Sequence, residues 1–89
     1  MTFHVELSKD ATKAIKKMDW KSQAAIVSWI DKNLEGCENP RAKGKALSGN
    51  LKGIWSYRVG EFRILADIED DRLIILLVSI GNRRNVYDV

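Results

Sequence analysis

Apolar and polar residues alternate from the start of the chain. Phe3, Val5 and Leu7 are separated by His4 and Glu6, a period of two that predicts a strand over residues 2–7. His4 then faces away from the core, and no Ser, Cys or second His makes a recognisable triad with it. Ser8 follows as a good N-cap. Ala11, Ala14, Ile15 and Met18 recur at helical spacing behind it, with Lys13, Lys16 and Lys17 toward water. A second helix is expected over about 19–35, with Trp20, Ala24, Val27, Ile30 and Leu34 in one stripe and Gly36 as its stop. Trp29 falls half a turn from Trp20, on the polar side with Ser22, Lys32 and Asn33. Its ring either lies over neighbouring aliphatic stems or anchors a partner protein.

From residue 37 to 53 the composition shifts to Asn, Pro, Gly, Lys and Ser, which reads as a loop with room for a short strand near 45–48. Three strand signals then close the chain, over 54–59, 62–68 and 73–80. They are separated by Gly60-Glu61 and by the acidic turn Glu69, Asp70, Asp71. The expected fold is α+β, in the order βααβββ: a small antiparallel sheet packed against an N-terminal helical hairpin, one domain over residues 1–89.

The first of these hairpins carries a sharper inference. A two-residue turn at Gly60-Glu61 pairs Val59 with Phe62, and so sets Arg58 directly opposite Arg63 on one face. Trp55, Tyr57 and Val59 then share the other face with Phe62, Ile64 and Ala66, which is the core side. Like charges facing each other across a ladder are destabilising. Either an anion such as phosphate sits between the two guanidinium groups, or acidic neighbours such as Glu61 or Asp67 neutralise them.

Composition adds bounds. With 89 residues, 45% hydrophobic and 30% charged, the chain has the make-up of one small folded domain rather than a disordered segment. So small a core leaves stability modest, and a bound partner would add to it. The apolar run over 73–80 is far short of the roughly 20 residues that a membrane span needs. The N-terminus has no signal-peptide pattern, so a cytoplasmic protein is expected. Cys37 stands alone, and no Cys/His spacing suggests a metal or other cofactor. The net charge of +3 is unevenly spread. Residues 1–40 balance, whereas residues 41–63 hold Arg41, Lys43, Lys45, Lys52, Arg58 and Arg63 against Glu61 alone. Such a segment suits a polyanionic ligand or a solvated basic loop.

At residues 47–64 and 78–87 the chain resembles a known family. Leu47, Ser48 and Gly49, then Trp55 to Ile64 reading WSYRVGEFRI, are similar to the signature of RelE toxins within the RelE/ParE superfamily. Val78, Ser79, Ile80, Gly81, Asn82, Arg83 and Arg84, with Val86 and Tyr87, resemble that family's last strand and tail. The resemblance spans essentially the whole chain. It implies the toxin of a type II toxin–antitoxin system, held by a RelB-like antitoxin in a hetero-oligomer, that enters the ribosomal A site and cuts messenger RNA. Attack there comes from the RNA's own 2′-hydroxyl. Arg58, Arg63 and Arg83 would clamp the scissile phosphate, and Tyr87 would orient the nucleotide. Lys43, Lys45, Lys52, Ser56 and Arg84 would contribute to RNA binding. Ser56 departs from the pattern, since many RelE-like members carry a basic residue there, which leaves the acid and base unassigned. Two other readings remain open: a ParE-like, non-enzymatic toxin acting on DNA gyrase, and a basic RNA-binding module without catalysis.

Overall fold

The computed structural model describes residues 1–82. Strand β1 (His4–Leu7) leads into helices α1 (Lys9–Lys16) and α2 (Trp20–Asn33). Strands β2 (Lys45–Ala46), β3 (Ile54–Val59), β4 (Phe62–Glu69) and β5 (Ile74–Asn82) follow, with a single 3-10 turn, Gly49–Leu51, between β2 and β3. The α+β class and the helical hairpin are as the sequence implies, and the short strand near residue 45 is present as β2.

The sheet has the order β1-β5-β4-β3-β2. It is mixed rather than wholly antiparallel. The β2, β3, β4 and β5 ladders run antiparallel, but β1 pairs in parallel with β5, Val5 opposite Ile75 and Leu7 opposite Leu77. The cause is connectivity: β1 leaves through two helices instead of a tight turn, and parallel neighbours need such a crossover.

Ser8 joins three elements at this crossover. Its hydroxyl accepts from the Ala11 amide at 3.1 Å, capping α1, and donates to the Val78 carbonyl at 2.9 Å. The ladder between β4 and β5 slips by one residue there, Leu65 facing Ser79 and Ala66 facing Leu77, which leaves Val78 as the bulged residue. The cap therefore also satisfies a carbonyl beside the bulge.

Tyr57, Ile64, Ala66, Ile75 and Leu77 from the sheet, with Ala11, Ile26, Ile30 and Leu34 from the helices, form the core. The buried face of α2 differs from the expected stripe. Ile30 and Leu34 of that stripe are buried, with Ile26 beside them, whereas Trp20 is 73% exposed and Val27 45% exposed. At 100° per residue the helix is turned by roughly a quarter turn from the expectation. Trp29, expected on the polar side, packs its ring against Tyr57 with centroids 5.6 Å apart. Polar residues share this inward side at low cost because they are bonded: Gln23 donates to the Ile15 carbonyl at 2.7 Å and Asn33 to the Trp29 carbonyl at 2.9 Å.

The outer edge of β1 is closed by the segment after α2. The Phe3 amide donates to the Cys37 carbonyl, and the Gly36 amide to that of Phe3, both at 2.8 Å. The Glu35 carboxylate accepts from the Val5 amide at 3.0 Å and bonds His4 Nδ1 at 2.8 Å. His4 is thus exposed, as expected, but tied to Glu35. The Val5 amide, and then His4, hold the Glu35 carboxyl below its ordinary 4.5. A depressed carboxyl pKa stabilises the fold fully above the unfolded value and progressively less as pH falls through the folded one. Glu35→Gln should therefore lower the melting temperature at neutral pH, and melting curves of the two proteins should converge as pH falls below 4.5.

Candidate functional site

Among the described residues the helices pack on one face of the sheet and none lies on the other. The register decides which side chains meet on that second face. Val59 pairs with Phe62 and Arg58 with Arg63, as the Gly60-Glu61 turn implies, and Gly60 adopts φ +58°, which favours glycine at the first turn position. Directly opposed residues in an antiparallel ladder point the same way and lie about 5 Å apart at Cα. Arg58 and Arg63 therefore stand side by side, Arg58 exposed and Arg63 half-buried.

Ser56 lies two residues before Arg58 on the same face, buried to 2% exposure. Its hydroxyl accepts from Arg63 Nη1 at 3.3 Å, which orients that guanidinium. Lys45 on β2 stands opposite Ser56 and is exposed, so it adds a cation to the same patch. On β5, Gly81 faces Arg63. The arrangement sets two guanidinium forks and one ammonium on one face, one fork held from beneath by the buried Ser56 hydroxyl, and it suits an oxyanion with several equatorial oxygens.

The other basic residues of the middle segment are not brought together there. Lys43 bonds Asn33 on α2, in the helix layer. Lys52 precedes β3, and the four steps from Ile54 to Arg58 alone span about 13 Å at strand rise. Arg41 makes a two-pronged bond to Asp70, at 2.9 and 2.7 Å, and lies over the Trp55 ring at 5.6 Å. Arg41, counted along the sequence in a basic segment suited to a polyanion or to solvent, is tied to Asp70 instead. Arg83, Arg84 and Tyr87 lie outside the described residues.

Beneath the patch, Tyr57 is fully buried and its hydroxyl donates to the Pro40 carbonyl. Burial, with the nearby Cys37 thiol as the second cause, pushes its pKa up to about 12. Tyr57 is therefore a structural phenol and stays protonated at neutral pH. Burial likewise raises the Cys37 thiol, which disfavours the nucleophilic thiolate.

Comparison with known proteins agrees with this fold. The profile of the ParE toxin of type II toxin–antitoxin systems, parDE, matches residues 5–87. The toxin RelE of Mycobacterium tuberculosis is 28% identical over 85 residues, spanning 96% of this chain and 86% of its own. A RelE-like toxin protein of Escherichia coli, described as putative, is 29% identical over 93 residues, spanning 100% of this chain and 94% of its own. In the crystal structure of the RelBE2 toxin–antitoxin complex of M. tuberculosis, one chain superposes with a TM-score of 0.84 at 25% identity, covering 93% of this chain and all of that one. The isolated E. coli RelE toxin shares the fold, with a TM-score of 0.73 at 18% identity over 98% of this chain and 93% of its own. The chain belongs to the RelE/ParE superfamily of type II toxins, and within it is RelE-like.

Proposed function

We propose that this toxin is a ribosome-dependent endonuclease that cuts messenger RNA in the A site. The observation that carries the reading is the opposed Arg58–Arg63 pair, oriented by Ser56 and flanked by Lys45. The reaction is attack of the 2′-oxygen on the adjacent phosphorus. The 2′-O–P bond forms, the P–O5′ bond breaks, and the products end in a 2′,3′-cyclic phosphate and a 5′-hydroxyl. Charge builds on the equatorial oxygens of the phosphorane, and hydrogen bonds from Arg58 and Arg63 oppose it. No side chain forms a covalent intermediate. Arg83 follows Asn82 directly in the chain and, by family resemblance, serves the departing oxygen; Tyr87 stacks on or orients the base. Ser56 cannot replace a basic residue as proton acceptor, and of Lys43, Lys45 and Lys52, Lys45 shares the face with the arginines.

A RelB-like antitoxin would form a hetero-oligomer with the toxin in the cytoplasm. One edge of the sheet, β1, is already closed, whereas β2 pairs only with Trp55 and Ser56 of β3. Strand addition by an antitoxin would therefore use the β3 edge at Arg58 and Val59. Exposed Trp20 and Val27 provide apolar area for the rest of such a partner.

A second reading is favoured by the family profile itself, which is that of the ParE toxin; by family resemblance such a toxin would be non-enzymatic and inhibit DNA gyrase. Primer extension on a reporter message in a bacterial translation extract separates the two. The nuclease reading expects new 5′ ends inside codons, absent when ribosomes are removed. Intact message together with inhibited gyrase supercoiling would replace it with the second reading.

A further inference from the structure

The face that carries Arg58 and Arg63 continues along β4, and its character changes on the way. Leu65, two residues from Arg63, is 3% exposed yet lies outside the core cluster that the helices cover, so this side of the sheet has an apolar floor of its own. Two residues further, Asp67 stands between Ile54 on β3 and Leu76 on β5, directly opposite each in the ladders. All three are half-buried. The row is a carboxylate set between two aliphatic side chains, with exposed Glu6 of β1 beyond Leu76.

That carboxylate has no partner within the fold. The acids and arginines near it are matched to each other, Asp70 with Arg41 and Glu69 with Arg72, each pair at 2.7 Å. Among the described residues Asp67 forms no ion pair and no side-chain hydrogen bond. Nor does it neutralise the arginine pair, since four strand steps put it about 13 Å from Arg63 along β4. A partly dehydrated carboxylate with unused acceptor oxygens is costly until a donor arrives.

A nucleic-acid backbone cannot supply that donor, because phosphate and carboxylate repel each other, but the edge of a base can. The flanking side chains suit a base as well. Strands β3 and β5 lie two strand spacings apart, about 10 Å, which leaves room between Ile54 and Leu76 for a flat ring standing edge-on to Asp67. Of the four bases, guanine alone presents two adjacent donors, N1–H and the exocyclic amino group, which match the two carboxylate oxygens as a fork. Adenine and cytosine set one amino donor beside a ring nitrogen that the carboxylate repels. Uracil has one N–H between two carbonyl oxygens.

We propose that Asp67, between Ile54 and Leu76, is a guanine-reading subsite for single-stranded RNA whose backbone the arginine pair holds. The proposal rests on the nuclease reading only in identifying that RNA as message, where cutting would then depend on guanine in the codon.

The test uses single-stranded 2′-O-methyl RNA hexamers, which cannot be cut. Each is a uridine tract with one central guanosine, inosine or adenosine, and fluorescence anisotropy compares the full chain with an Asp67→Asn variant. The unaltered chain should bind the guanosine oligomer about tenfold more tightly than the adenosine one, the scale of hydrogen bonds to a charged group. Inosine keeps N1–H but lacks the amino group, and should fall between. Asp67→Asn should erase the guanosine preference. Its affinity for the adenosine oligomer should be equal or slightly higher, since a negative charge is gone, and its melting temperature should not change. A merely structural role for Asp67 would not move the ratio between bases. Equal affinity of the unaltered chain for the guanosine and adenosine oligomers, including no binding of either, would overturn the proposal, as would a guanosine preference that survives in Asp67→Asn. Message cleavage in the translation extract is read separately. Its absence beside an Asp67-dependent guanosine preference would fail the nuclease reading and leave this subsite standing.

Discussion

Replacing Arg58 and Arg63 together with alanine should reduce ribosome-dependent cleavage by at least about 10²-fold, the scale expected when donors to a developing oxyanion are removed. The same change should leave the melting temperature nearly unchanged. The two guanidinium groups face each other in the ladder, and relief of opposed like charges, up to about 1 kcal/mol, offsets loss of the Arg63 bond to Ser56. Loss of activity without loss of fold separates a chemical role from a structural one. Quenched-flow cleavage on programmed ribosomes and calorimetry on the same preparations supply the two readings. A variant that melts much earlier would mean that the arginines support the sheet, and the proposed clamp would fail. Arg63→Lys should restore little activity, because one ammonium cannot reproduce the fork that Ser56 orients.

The largest stability effect should come from Tyr57. It is fully buried, packs on Trp29, and bonds the Pro40 carbonyl, so it joins β3, α2 and the loop before β2. Tyr57→Ala should cost about 3–5 kcal/mol from the lost burial and the cavity left behind. For a domain of this size that is a large share of the total stability, so the variant should melt more than about 12 °C lower or fail to fold alone. Tyr57→Phe removes only the hydroxyl and leaves the Pro40 carbonyl in need of a donor, a loss nearer 1 kcal/mol. Gly44→Ala tests the same ring from outside. A Cβ there would lie 2.8 Å from Tyr57 Cε1, and the ring cannot swing away while its hydroxyl is held. Thermal melts of the three variants should rank Tyr57→Ala as the most damaging. Equal, small effects would show that Tyr57 does not organise the core.

The sequence was most legible where a local pattern and a turn acted together. A period of two interrupted by Gly60-Glu61 determines both the hairpin and its register, so the facing arginines could be inferred without coordinates. The α1 cap was legible for the same reason, since Ser8 and the periodic residues behind it are contiguous. Helix α2 was not, because apolar residues occur on two of its sides. The stripe of Trp20, Ala24, Val27, Ile30 and Leu34 overlaps that of Ile26, Ile30 and Leu34, and only the shape of the sheet decides which edge of it is buried. Nor could the parallel placement of β1 be read locally, since its partner Ile75 is 70 residues away.

The candidate site was legible in part for a related reason. Counting charge along residues 41–63 finds a basic segment but not its geometry. Arg41 turns to Asp70 and Trp55, and Lys43 to Asn33, while Lys45, Arg58 and Arg63 reach one face through strand pairing.

The most direct test of the central claim is single-turnover cleavage of a defined message on programmed ribosomes, comparing an all-ribose A-site codon with one carrying a single 2′-deoxy nucleotide at the cut position. The account predicts cutting of the ribose message to a 2′,3′-cyclic end, and no cutting where the 2′-hydroxyl is missing. Equal cutting of both messages would show that water or a side chain is the attacking group. Failure to cut either one, with gyrase supercoiling inhibited by the same preparation, would contradict the nuclease reading altogether.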